Sequence, residues 1–319
     1  MTTSFPKERR PEMTTTGTAA PDRIRLAAAE ELYEDIVEVG AALYKKALTD
    51  LPPDVRGAIG RARERESGGA LRRLDVMVKS IDTSDRTGII VCQDTGICVY
   101  FVRLGTEFAI NGAKLVQALR EGIARATRRH DLRSSVVHPL TRANRQDNTG
   151  VEVPEVHVEF VDGGDELEIL LVPKGSGSEN MSFLAMLSPA DGVAAVKRFI
   201  LDSVVKAGPR PCPPTIVGVG LGGTADLCMA LAKRAILRPV AQPHAEPDIA
   251  ALEHELLDAL NETGIGPQGL GGSTTAFAVH IEYAATHISM NPVAVNIQCW
   301  RGERARATIA KDGTVSYGY

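Results

Sequence analysis

The stretch Gly88-Ile89-Ile90-Val91-Cys92-Gln93-Asp94-Thr95-Gly96-Ile97-Cys98-Val99-Tyr100-Phe101-Val102 decides how this chain is read. Two short apolar runs, 88–91 and 97–102, flank a polar segment closed by glycine, which predicts strand, turn, strand. Such a turn leaves Cys92, Gln93 and Asp94 outside regular structure, where side chains can face a ligand. Upstream the period changes. Ile24, Leu26, Leu32, Ile36, Val37, Ala41 and Leu43 recur at helical spacing, predicting helix from residue 21 to about 79. Pro52-Pro53 breaks that run and Asp54 offers a cap for the next helix. Downstream, 111–129 reads as helix. Alternation over 151–160 and 167–172 predicts a strand pair across Asp162-Gly163-Gly164. A Gly/Ser loop at 173–180, a helix at 190–206, a strand at 215–219 and helices at 225–237 and 248–261 follow. The glycine-rich stretch 264–272 then precedes a further predicted helix at 274–285. The pattern is an α+β fold: N-terminal helices, then mixed, largely antiparallel strands surrounded by helices, with the reactive groups held in loops.

Bulk composition narrows the function. With 319 residues, 44% hydrophobic and 24% charged, the chain has ordinary globular proportions. A net charge of −4 and 4% aromatic content give neither a basic patch nor a stacking platform for nucleic acid. No run approaches eighteen apolar residues, so no membrane span is expected. Residues 1–20 are rich in Thr, Pro and charge and lack an apolar core. They read as a disordered leader rather than a signal peptide, with Met13 an alternative start and the folded domain occupying 21–319. Five cysteines without an export signal argue for free thiols in a reducing cytoplasm.

The cysteines fall into two sets. Cys98 and Cys228 lie inside apolar runs and read as small buried hydrophobes. Cys92, Cys212 and Cys299 lie at ends of elements, beside Gly, Pro, Asp or Asn. Their spacings are long, and no CxxC knuckle of a structural zinc site is present. Three thiolates without a fourth suit an iron–sulfur cluster with one iron open, although each cysteine alone has a plain structural reading.

The segments around these cysteines resemble the α domain of the class I, iron–sulfur-dependent fumarases and the L(+)-tartrate dehydratases. The resemblance runs from about residue 25 to 309. It is carried by Cys92-Gln93-Asp94-Thr95-Gly96, Pro173-Lys174-Gly175-Ser176-Gly177-Ser178-Glu179-Asn180, Pro211-Cys212-Pro213-Pro214, Gly218-Val219-Gly220-Leu221-Gly222-Gly223 and the stretch 292–299. It implies that Cys92, Cys212 and Cys299 hold a 4Fe–4S cluster with one iron not ligated by protein. It further implies that Gln93, Asp94, Arg133, Gly177 and His287 contact a small dicarboxylate, with Asp94 in a catalytic role. Gly175 competes with Gly177, and His280 with His287. Each residue also has a plainer reading: Asp94 as a turn cap, Arg133 as a solvated charge, His287 as a core histidine.

Single-chain family members carry a second domain that supplies the proton-transferring base. The present sequence ends shortly after Cys299, so the resemblance implies a separate β subunit, an α2β2 assembly and a base from that partner. Fumarate/malate is the expected substrate pair, with L(+)-tartrate as the alternative. Two other classes compete. Gly218-x-Gly220-x-x-Gly223 copies a dinucleotide fingerprint, although no parallel βαβ unit is expected around it. A non-catalytic zinc-binding subunit is the other.

Overall fold

Three helices lead the chain, as the periodicity predicts: α1 (Asp22–Thr49), α2 (Pro53–Arg65) and α3 (Gly68–Thr87). The computed structural model describes residues 22–319, so the expected leader at 1–20 lies outside the described residues. Strand β1 (Ile97–Gly105) and helix α4 (Gly112–Arg129) follow, then β2 (Glu155–Val161), β3 (Leu167–Lys174), the single turn α5 (Ser176–Glu179) and β4 (Phe183–Leu187). The second half runs α6 (Gly192–Ala207), β5 (Thr215–Leu221), α7 (Ala225–Ala235), α8 (Pro247–Glu262), β6 (Ala276–Tyr283), β7 (Asn291–Gln298), β8 (Ala305–Ile309) and β9 (Val315–Gly318).

The strands form two mixed sheets, ordered β2-β1-β3-β8-β9 and β4-β7-β5-β6. Among the described residues only β1–β2 and β5–β6 pair in parallel, so the architecture is α+β and largely antiparallel, as expected. Helices α1 and α4 cover one face of the first sheet. Their apolar stripes, Ile36, Leu43, Tyr44 and Leu48 on α1 and Leu115, Leu119 and Ile123 on α4, bury against Tyr100, Val102, Ile169 and Leu171. Asn111 starts α4 by accepting from the amides of Ala113 and Lys114 at 3.0 and 3.2 Å. The second sheet is sandwiched. Helices α6 and α8 pack Val196, Ile200, Leu256 and Leu260 against Val217, Val219, Val279 and Val295, while α7 lies on the other face. Helices α2 and α3 bridge to this half through Leu74, Met77, Ile216 and Phe277.

Four readings of the sequence are corrected. Residues 88–91 are not a strand: Gly88 caps α3 in the left-handed conformation, and Ser84 Oγ donates to the Ile89 carbonyl at 2.5 Å. Strands β2 and β3 are not partners, because β1 lies between them. The turn after β2 bonds back to the end of β1, through Thr106 N to Val161 O at 3.0 Å and Glu107 N to Gly164 O at 2.9 Å. Residues 274–285 form no helix. Strand β6 is buried on both faces over its first six residues, so it lacks the alternation that marks a half-exposed strand. Finally, β5 and β6 are parallel neighbours joined through α7 and α8, so a parallel crossover does surround Gly218-x-Gly220-x-x-Gly223. Strands β4, β8 and β9 were not anticipated; all are short, and β4 and β9 lie at sheet edges.

Candidate active site

Sheet register gathers the site. Ile216 of β5 pairs with Gln298 of β7, so Cys212 before one strand and Cys299 after the other fall at the same sheet end. The Trp300 amide donates to the Cys212 carbonyl at 3.2 Å, tying the two cysteine segments together. In the first sheet Ile97 pairs with Lys174, which sets the Cys92 turn beside the loop that follows β3. Lys174 joins the two sheets. Its buried ammonium donates to Ile297 O at 2.6 Å, Ser178 Oγ at 2.9 Å and Gln298 Oε1 at 3.1 Å. Burial pulls its pKa down, partly offset by the Glu179 and Cys299 charges.

The three cysteine segments are linked by short contacts. Asp94 Oδ2 accepts from the Ser176 amide at 2.8 Å and the Ser176 hydroxyl at 3.0 Å, while Oδ1 accepts from Gly96 N at 3.1 Å. A side chain at Gly177 would stand 2.8 Å from the Arg210 carbonyl, so glycine lets α5 abut the Cys212 loop. Gly175 faces Asp94 Oδ2 instead, at 3.2 Å from where a Cβ would lie. Cys212 holds φ +55°, a left-handed conformation strained for a non-glycine residue. Its thiol is pushed up by lost solvation, then by the charges of Cys92, Asp94 and Glu303. The Cys299 thiol is pushed up further, by burial and then by Glu303, with Cys212 a smaller contributor. Among the described residues, no three His, Cys, Asp or Glu side chains converge on one point as a single ion requires.

A cavity of about 1060 Å³ opens beside the Cys92 turn. Cys92, Gln93, Asp94, Arg133, Lys174 and Glu179 are among its lining residues. Its far wall is the long connection between α4 and β2, fastened to the turn by Thr95 Oγ1, which donates to Arg133 O at 2.7 Å. Asn148 Nδ2 also donates to Arg133 O, at 3.0 Å, while Asn148 Oδ1 accepts from Ser135 N at 2.7 Å. The Arg133 side chain is exposed on this wall.

The fumarate hydratase (Fumerase) family model matches residues 37–308, a span that holds all three cysteines and the cavity. This chain belongs to the fumarate hydratase family. Among its relatives is a Methanocaldococcus jannaschii protein provisionally named L(+)-tartrate dehydratase subunit alpha. The two are 42% identical over 282 residues, covering 87% of this chain and 98% of that one. The L(+)-tartrate dehydratase subunit alpha of Escherichia coli K12 is 31% identical over 290 residues, covering 89% of this chain and 94% of that one. The family is one of hydro-lyases.

Two expected site residues of this fumarate hydratase family member do not join the others. His287 is exposed in the turn between β6 and β7, its Nδ1 accepting from Ser289 N at 3.1 Å. That turn lies at the opposite end of the second sheet from Cys212 and Cys299, roughly 25 Å away along the eight residues of β7 at ~3.3 Å per residue. Within one chain His287 and the cysteines do not meet. His280 is buried in β6 at 2% exposure, and burial followed by the Arg238 charge lowers its pKa to about 4. The glycine fingerprint has a packing cause. A Cβ at Gly220 would fall 1.9 Å from Cys228 O, and one at Gly218 would fall 2.2 Å from Ala232 O, so α7 fills that space.

Sequence reasoning missed Arg301 and Glu303. Both are almost fully buried and form an ion pair at 2.5 Å beside Cys299, whose Sγ lies 3.8 Å from Glu303 Oε1. Arg301 also donates to Ala47 O and Leu48 O at 3.2 and 2.9 Å. Burial raises the Glu303 pKa, and Arg301 partly counters it. A charged run such as Arg301-Gly302-Glu303-Arg304 ordinarily reads as a solvated turn. Its one signal was its place directly after a cysteine and the single tryptophan. Among the described residues no helix is long and apolar enough to cross a membrane.

Proposed function

We propose that this chain is the α subunit of an iron–sulfur hydro-lyase that interconverts fumarate and malate. The observation that carries the reading is the meeting of Cys212 and Cys299 at one sheet end, linked through α5 to Cys92 beside a cavity with arginine in its wall. Cys92, Cys212 and Cys299 would hold a 4Fe–4S cluster with one iron free of protein. The donor set fits: soft thiolates suit such a cluster, and all three lie outside regular elements. The Cys212 and Cys299 thiols are raised first by burial and then by neighbouring negative charge, which cationic irons relieve. When bound, the cluster supplies a Lewis acid for hydroxyl and carboxylate oxygens.

The chain's own residues do the rest. Arg133 offers a planar fork of donors to one carboxylate, and Gln93 an amide donor beside it. The resemblance gives the Gly177 backbone a substrate contact, and its neighbour Ser176 lines the cavity. Asp94, linked to the Ser176 hydroxyl, holds or moves the proton at the substrate hydroxyl. The base that removes the carbon-bound proton comes from a β subunit, in an α2β2 assembly working in the reducing cytoplasm. His287 is left out of this half-site. The "subunit alpha" in the relatives' names supports a partner.

L(+)-tartrate dehydration to oxaloacetate is the second reading, favoured by those same names. The test is anaerobic purification with the partner, with iron and sulfide content, an absorption spectrum, and rates on fumarate, malate and L(+)-tartrate. About four irons per chain, lost in Cys212→Ala together with turnover, are expected. Zinc, or no metal after reconstitution, overturns the cluster. The faster substrate decides between fumarate/malate and tartrate.

A further inference from the structure

We infer that His138, which neither the family resemblance nor the motifs single out, is a substrate-binding residue that donates from Nε2 to a carboxylate oxygen of the substrate. This rests on the reading of the cavity as a dicarboxylate site and adds a donor to it. His138 lines the same cavity as Cys92, Asp94 and Arg133, on the wall formed by the connection between α4 and β2.

Three of its four polar positions are already taken. Its backbone amide donates to Ala143 O at 2.8 Å, and its carbonyl accepts from Arg142 N at 3.0 Å. Its Nδ1 accepts from the amides of Leu140 and Thr141, at 3.2 Å each. An imidazole nitrogen that accepts carries no proton, so in the neutral ring the proton sits on Nε2. Nε2–H is therefore the one group of this residue left to donate, on a ring whose other nitrogen is pinned.

The wall that carries it is built rather than loose. Val137 and Asn144 form a bridge. Ser134 Oγ donates to Asn144 Oδ1 at 2.8 Å, and Asn144 Nδ2 donates to Ser134 O at 3.0 Å. Arg133 and Arg142 share this wall, so a carboxylate drawn to it meets charge from the arginines and a directed donor from His138. A fixed donor adds direction to that charge, and direction is what separates one carboxylate placement from another.

Asparagine separates the two jobs of this side chain. In His138→Asn the Oδ1 still accepts from the Leu140 and Thr141 amides, as in an Asx turn, but nothing reaches the Nε2 position. The experiment uses the complex purified with its partner. Calorimetry gives the Kd of succinate, a four-carbon dicarboxylate that cannot be dehydrated, and steady-state kinetics give KM and kcat. Succinate binding weakened roughly 10- to 100-fold, with KM raised more than kcat is lowered and with iron content and thermal midpoint unchanged, is the expected result. Unchanged succinate affinity in the variant overturns the assignment, as does a wild-type complex that binds no succinate. A wild type that binds succinate through His138 yet turns over no four-carbon dicarboxylate refutes the hydro-lyase reading and leaves the histidine's role standing.

Discussion

The turn that carries Cys92 and the strand ends that carry Cys212 and Cys299 are held in different ways. Cys212 and Cys299 flank neighbouring strands, so a ladder of main-chain bonds fixes their separation, and the buried Arg301–Glu303 pair sits directly behind. Cys92 follows irregular backbone and is placed by side chains: Asp94 to Ser176, Thr95 to Arg133, and the Tyr44 hydroxyl to Thr95 O at 3.0 Å. The sheet side is set by register and desolvation, so damage there is paid in stability. The loop side is set by a few polar contacts next to the cavity, so damage there reaches binding and turnover first.

The largest effect expected is on the sheet side. Arg301→Met leaves Glu303 buried without its partner and should cost about 3–5 kcal/mol in urea unfolding. Adding Glu303→Leu should return much of that loss. A single variant as stable as wild type would show that the pair is no anchor.

His280 sharpens the same contrast through pH. It stays neutral in the fold, with its pKa near 4 instead of 6.5, so the unfolded chain takes up the proton first on acidification. Stability from this residue is whole above pH 6.5 and is lost as pH falls toward about 4. The total is about 3 kcal/mol, of which about 2 is gone by pH 5. Urea midpoints at pH 7 and pH 5 should differ less in His280→Gln than in wild type. Equal pH sensitivity would move the effect to other groups.

On the loop side, Asp94→Asn keeps the shape but drops the charge that receives the Ser176 amide and hydroxyl. A loss of about 1.5–3 kcal/mol is expected, read as a roughly 10- to 100-fold fall in kcat/KM with iron content and urea midpoint unchanged. If iron is lost as well, the loop side is as structural as the sheet side and the contrast between them fails.

Much of this was legible beforehand. Helical periodicity placed α1 to α4, because one apolar stripe against charge is a local property. The sorting of cysteines into Cys98 and Cys228 against the other three also held. Both of the first pair are buried inside regular elements, and the other three lie outside them, Cys299 at a strand end and Cys92 in mid-loop because 88–91 forms no strand. Strand partners were not legible. An alternating run records that one face is buried and says nothing about which strand lies beside it. The insertion of β1 between β2 and β3, and the doubly buried β6 with its alanines, needed the tertiary structure.

The amino-acid sequence by itself determined the α+β class, the family and the residues carrying thiols and carboxylates, since these follow from local pattern and side-chain chemistry. Tertiary structure alone decided which of them meet. It drew Cys212 and Cys299 to one end of a sheet, left His287 at the other, and buried Arg301 and Glu303 behind the site. It also pinned His138 Nδ1 so that Nε2 is the free donor. Distances between segments come from sheet register and packing, which join residues far apart in the chain and leave no periodic trace in it.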